Sequence, residues 1–289
     1  MIAEPIPFVR GWNFGWLSTQ LLPGAPYSAC GATLGHTLGI ALERQTGVHA
    51  IASDFRQDFD TWSGALAYTP PGMEVFSESA CGGEYLLIEW QEPEDARVGI
   101  HSPCFGQHFR PTVIGHGGML KLGRELRRVH LQPCPDLAYI EALAVQFIAV
   151  GTQALREPKS KASSIADQND FATVLNHIED ALCEPLCLAE LSALVGLPVL
   201  PFLRRFSAAF GTTPHAFIIE RRLQRARRLL QLNRYSIAEI AFECGFSHQS
   251  HLGKCFRREL GLSPLDYRRL LWSSSASGID SRSVREQGR

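Results

Sequence analysis

The sequence predicts an α+β chain: a small β-barrel followed by two helices, then an all-α unit built from two helix-turn-helix elements. Three observations carry that reading. Short β-prone stretches separated by Gly/Pro turns fill the chain to about Gln107. Two long apolar helical patterns follow. A sequence pattern near residue 200 then returns about fifty residues later, as a duplicated unit would.

In chain order, Thr37 to Leu42 and Val48 to Ile51 read as a hairpin pair. Strands at Ala65 to Tyr68, Met73 to Ser77 and Tyr85 to Glu89 are divided by Pro70-Pro71-Gly72 and Cys81-Gly82-Gly83. Helices are expected from Thr112 to Val129, with Met119, Leu122 and Leu126 on one face, and from Asp136 to Leu155, with Ile140, Leu143, Ala144, Phe147 and Ile148 inward. The polar stretch Arg156 to Asp170 reads as a linker. These breaks divide the chain into a first domain at 1–155, a linker at 156–170, a helical domain at 171–272 and a tail at 273–289.

The most specific stretch runs from Ser236 to Tyr267. Ser236 and Glu239 form an S-x-x-E capping box that starts a helix at Ile237. Gly245 provides the sharp turn, and Ser247 is the expected cap of a second helix with Leu252 and Phe256 inward. His248, Gln249, Ser250, His251 and Lys254 remain on the outer face, with Arg257 one turn on. A short helix with such a face fits a DNA major groove. Upstream, Phe202, Phe206, Gly211, Pro214 and Phe217 repeat the spacing of Leu252, Phe256, Gly261, Pro264 and Tyr267. Between the two units a helix from His215 to Leu232 carries Arg221, Arg222, Arg225, Arg227 and Arg228.

Charge follows the same division. The 289 residues carry a formal net charge of −1, yet Leu200 to Leu270 holds thirteen Arg and Lys against five Asp and Glu, a formal +8. A basic block on an otherwise acidic chain is the electrostatic footprint of a nucleic-acid module. The start MIAEPIPFVR has no signal-peptide pattern, and no window holds eighteen consecutive apolar residues, so a cytoplasmic chain with no membrane contact is expected. The eight cysteines share no C-x-x-C spacing and read as reduced, mostly packed thiols.

Phe171 to Leu270 resembles the DNA-binding domain of the AraC/XylS family. The resemblance rests on Arg222-Leu223-x-x-Ala226-x-x-Leu229-Leu230, then Ile237-x-x-Ile240-Ala241-x-x-x-Gly245-Phe246, then Phe256-Arg257-Arg258-x-x-Gly261-x-Ser263-Pro264-x-x-Tyr267-Arg268. It implies a bacterial transcription regulator whose single chain places two recognition helices in successive major-groove segments of double-stranded DNA. RNA polymerase, a small-molecule effector and a second copy of the chain are the further partners it implies. The β-rich half resembles, by element order, the cupin-like sensor and dimerisation half of such regulators.

The first unit departs from the family pattern. Pro198 stands where a capping serine is usual, and Val199, Leu200 and Pro201 follow. Apolar side chains make no hydrogen bonds to base edges and touch only thymine methyl groups. Arg204 alone matches a base-contact position with a competent side chain, and Arg205 is placed to reach phosphate. The alternative is that the apolar start packs on the β-rich half. From the connecting helix, Arg225 and Arg228 are the phosphate candidates, while Arg222 matches a position held within the fold.

His101, Cys104, His108 and His116 form a loose group of metal-ligand types whose spacing matches no familiar site, so no metal, cofactor or catalytic residue is assigned. Two other readings remain: a metal-dependent cupin enzyme with a DNA-binding tail, and a dimeric regulator without an effector. The sequence singles out no effector-binding residue.

Overall fold

The computed structural model describes residues 10–91, 110–156 and 170–276. Its strands are β1 (Arg10–Asn13), β2 (Leu17–Leu22), β3 (Tyr27–Ala32), β4 (His36–Ala41), β5 (Gln45–Ile51), β6 (Gln57–Thr61), β7 (Leu66–Thr69), β8 (Glu74–Ser79), β9 (Tyr85–Trp90) and β10 (Thr112–Val113). They form a six-stranded sheet in the order β1-β2-β9-β4-β7-β10 and a four-stranded sheet in the order β3-β8-β5-β6. The expected barrel is therefore not closed: two sheets stand with separate hydrogen-bond networks. The expected hairpin is also corrected. β4 pairs with β7 and β9, whereas β5 pairs with β6 and β8 in the other sheet. The corner between them, Leu42-Glu43-Arg44, sends a buried Glu43 toward the helical half.

Helix α1 (Gly117–His130) starts later than expected, because Thr112 and Val113 form an edge strand on β7. His116 caps it, its Nδ1 accepting from the Met119 amide at 3.2 Å. Helix α2 (Leu137–Arg156) buries Ile140, Ala144, Phe147 and Ile148 in a core shared with Leu38 and Ile40 of β4 and Leu86 and Ile88 of β9. Gly151 permits that approach: a Cβ there would lie 2.5 Å from a methyl of Leu38. By length and composition α2 is apolar enough to span a membrane, but one side of it is buried in this core.

The remaining helices are α3 (Ala172–Asp180), α4 (Leu188–Ala193), α5 (Val199–Phe210), α6 (Pro214–Leu232), α7 (Ile237–Glu243), α8 (Gln249–Leu260) and α9 (Pro264–Ala276). Their boundaries have local causes. The capping box at α7 is complete, with Ser236 N–H donating to Glu239 at 2.7 Å and Glu239 N–H donating to Ser236 Oγ at 3.2 Å. Thr213 caps α6 with Pro214 at its first position. α5 and α8 end at Gly211 and Gly261, both left-handed, with φ of 66° and 76°.

Two apolar cores result. Phe171, Phe202, Phe206, Phe210 and Phe217 form the first around α3, α5 and the start of α6, and Trp62, just after β6, inserts its ring among them. The second joins the six-stranded sheet, α1 and α2 to Leu223 and Leu230 of α6 and to Leu252, Phe256 and Tyr267 of the second helix-turn-helix unit. Cys244 belongs to this core, and burial pushes its thiol up to about 12, as expected of a packed thiol. The seven cysteines among the described residues are all free, but only Cys244 and Cys255 are buried; the other five are exposed, so most are not the packed thiols expected.

Between the cores lies a buried charge cluster. Arg227 on α6 donates from Nε to Glu43 at 3.0 Å and from a terminal nitrogen to Glu220 at 3.1 Å. Arg127 on α1 donates to Glu220 at 2.9 Å and to Glu84 at 3.2 Å, and Gln224 donates to Glu43 at 3.0 Å. Burial disfavours the charge on Glu220, but Arg127, Arg124 and Arg227 together hold it well below the usual carboxylate range. Glu43 is likewise held low against burial, mainly by Arg227. Glu84 goes the other way: burial, with the like charge of Glu43, outweighs both arginines and raises it.

Candidate nucleic-acid interface

The second unit presents its polar residues as the sequence predicts. Gly245, with φ 73°, makes the turn between α7 and α8. A Cβ there would lie 2.7 Å from the Leu182 carbonyl, so glycine is required by space as well as by backbone conformation. Leu252 and Phe256 are fully buried. His248 is the N-cap of α8, in extended conformation, one residue later than the expected Ser247 cap. His248, Gln249, Ser250, His251, Lys254 and Arg257 are exposed. The His251 ring meets Phe246 edge-on at 5.3 Å, so one face of that imidazole also serves packing.

Gln249, Ser250, Lys254 and Arg257 line one open groove together with Ser263 and Pro264 at the start of α9. The groove thus combines two cations and two side chains that both donate and accept, at the amino end of a thirteen-residue helix. Such a surface suits a phosphate backbone with base edges beside it.

The first unit differs. α5 starts at Val199 with Pro198 in the N-cap position and no side-chain cap. Leu200 is 68% exposed, and Val199, Pro201 and Arg204 are exposed with it. The alternative in which these apolar residues pack on the β-rich half is therefore not what the structure shows. Arg205, expected at phosphate, donates to Asp170 at 2.9 Å, an ion pair half-open to solvent.

The connecting helix sorts its five arginines. Arg221 forms a two-pronged pair with Glu179, the longer bond being 2.7 Å. Arg222 donates to the carbonyls of Leu182, Gly245 and Glu184, which locks the turn of the second unit. Arg227 lies in the buried cluster. Only Arg225 and Arg228 are exposed, and Arg225 sits 3.9 Å from Glu243. No sequence signal marked Glu43, Glu84 and Arg127 as partners of this helix, because each stands alone in its own segment.

His101, Cys104 and His108 lie outside the described residues. Among the described residues no group of three or more His, Cys, Asp or Glu side chains is arranged to hold a metal ion.

Residues 191–270 match the model of a family described as "Helix-turn-helix domain". The chain is 36% identical over 93 residues to a protein of Photobacterium leiognathi described as "Probable transcriptional regulator LumQ", covering 32% of this chain and 38% of that one. It is 34% identical over 112 residues to the HTH-type transcriptional activator RhaS of Klebsiella pneumoniae (strain 342), covering 38% and 40%. The chain thus spans about two fifths of the length of these two relatives. The DNA-binding domain of AdpA, a global transcriptional factor solved in complex with a target DNA, is 33% identical. It aligns over 38% of this chain and 98% of that domain, with a TM-score of 0.36. Through its C-terminal helix-turn-helix domain, the chain belongs to the AraC/XylS family.

Proposed function

We propose that the chain is a sequence-specific, DNA-binding transcription regulator of the bacterial cytoplasm. It would lay α5 and α8 in two successive major-groove segments on one face of the duplex. The groove formed by Gln249, Ser250, Lys254, Arg257 and the start of α9 is the observation that carries this reading. It stays open while α6 is docked on the β-rich half, so DNA approach does not require the two halves to separate. The β-rich half, read as an open form of a cupin-like unit, would sense a small molecule and pair two chains. The exposed face of α2, with Ala142, Gln146, Ala149 and Gln153, supports the pairing. RNA polymerase is the partner through which bound protein would act. Selecting duplexes from a random pool with the full chain tests the reading. Two enriched blocks about ten base pairs apart are expected. Binding with no sequence preference at moderate salt would overturn it.

A further inference from the structure

Between the two sheets of the β-rich half lies a partly open cavity of about 800 Å3. No residue of either apolar core comes from the four-stranded sheet, whose inner face lines this space instead. Native interiors are close-packed, and a mostly apolar hollow of this size falls in the range that encloses an organic ligand, roughly 300–1,000 Å3.

The polar end of the cavity has one sign. Arg110 lines it, half-buried, and donates from Nε to Thr69 Oγ1 at 3.1 Å. Among the described residues no carboxylate pairs with it. Its charge acts on three other lining groups, Tyr27, His49 and Tyr85. Burial and then Arg110 hold the His49 imidazole below its ordinary value, so it adds no charge at neutral pH. The other lining arginine, Arg44, is matched by Asp60 in a two-pronged pair at 2.9 and 2.7 Å and lies over the Trp62 ring. Asp58 sits at the exposed rim. The inner wall therefore presents one guanidinium with no carboxylate partner among the described residues, hydrogen-bonded to the Tyr85 hydroxyl and near the Tyr27 phenol. A carboxylate meets such a group with short, charge-assisted bonds, while an apolar tail fills the remainder.

We propose that this cavity binds an apolar organic monocarboxylate, its carboxylate on Arg110 and its hydrocarbon body between the sheets. The site stands on the cavity alone; its regulatory meaning rests on the function proposed above. Ala172 and Leu175 of α3 also line the space, so the occupant touches the first helix of the helical half. An occupant that contacts both halves biases how they sit together.

The test uses the full chain and three probe series: straight-chain acids of about 8 to 16 carbon atoms, phenyl-terminated acids of similar length, and the matching primary alcohols and amines. All are kept below micelle-forming concentrations, and binding is read by thermal shift and calorimetry. Acids of one or both shapes are expected to bind about ten- to a hundredfold more tightly than the matched alcohols, and amines least. Arg110→Gln should remove the acid–alcohol difference while alcohols still bind. Ala29→Trp, placing a large ring from exposed strand β3 into the cavity, should weaken acids and alcohols alike. Equal binding of acids and alcohols, a preference for amines, or no binding in any series overturns the proposal. So does undiminished acid binding by Ala29→Trp, an outcome that decides the matter even if Arg110→Gln fails to fold. Duplex binding by the ligand-free chain, measured separately, tells failure of the regulator reading from failure of this one.

Discussion

Arg227 on the connecting helix of the DNA-binding domain lies against Glu43 at a corner of the β-rich half, 184 positions earlier in the chain, and both side chains are 3% exposed. Removing one member of a buried pair leaves the other charge without compensation, which costs about 3–5 kcal/mol. Arg227→Met and Glu43→Gln are each expected to lower unfolding stability by that order in denaturant titrations. Glu84→Gln should be tolerated or mildly stabilising at neutral pH, because the fold already disfavours the charge on Glu84.

The same cluster sets a pH dependence. Glu220 and Glu43 are held below their ordinary values, so their contribution is present above the unfolded value and is lost as pH falls through the folded one. Glu84 is raised, so its contribution has the opposite sign and declines as pH rises from its unfolded value through the folded one. Denaturation midpoints measured on the acid side should fall with acidification in the wild type. They should fall less steeply in Glu220→Gln, which lacks one of the two lowered carboxylates; equal slopes would contradict the assignment.

Arg225 and Arg228 are the two exposed cations left on α6. If they lie against the duplex, Arg225→Ala and Arg228→Ala each weaken binding to all sequences and reduce the salt slope by about one unit. Unchanged affinity and slope in both variants would place this helix away from the backbone.

The two recognition helices should read DNA unequally. Gln249→Ala and Lys254→Ala are expected to relax preference at particular base pairs, by about 1–3 kcal/mol apiece where the contact is direct. Leu200→Ala should change preference little, or only at a thymine. Binding of each variant to a set of single-base-pair substitutions checks this, and dominance of Leu200 or Arg204 over the second unit would refute it.

The exposed face of α2 is proposed to join two chains. Ala149→Glu, at an exposed position, should give monomers with an unchanged far-ultraviolet spectrum. A wild-type chain that sediments as a monomer at tens of micromolar, as a rough working concentration, would contradict the proposed pairing.

The helical domain was legible because its signals are local. A capping box, a glycine at each turn and a Thr-Pro or Ser-Pro start each fix a boundary within four residues. The β-rich half was less so. β3 (YSACGA) and β6 (QDFDT) bury little on either side, so they show no clean apolar alternation. β4 and β5 are close in sequence yet diverge into different sheets at a corner whose key residue is a glutamate. Arg227 is alike in sequence to the exposed Arg225 and Arg228, and only its burial among acidic partners sets it apart. Asp170 engages Arg205, and Glu43 with Glu220 engages Arg227.

The buried cluster also has a consequence for exchanging parts between relatives. A graft cut at the polar stretch between residues 156 and 170 would transplant Glu220 and Arg227 while leaving Glu43, Glu84 and Arg127 behind. The recipient would receive two ionised groups facing a surface never shaped for them. The heritable module is therefore not bounded by the linker. It is the helical domain together with three residues scattered through the other half of the chain, and chimeras that carry all five should be the ones that assemble.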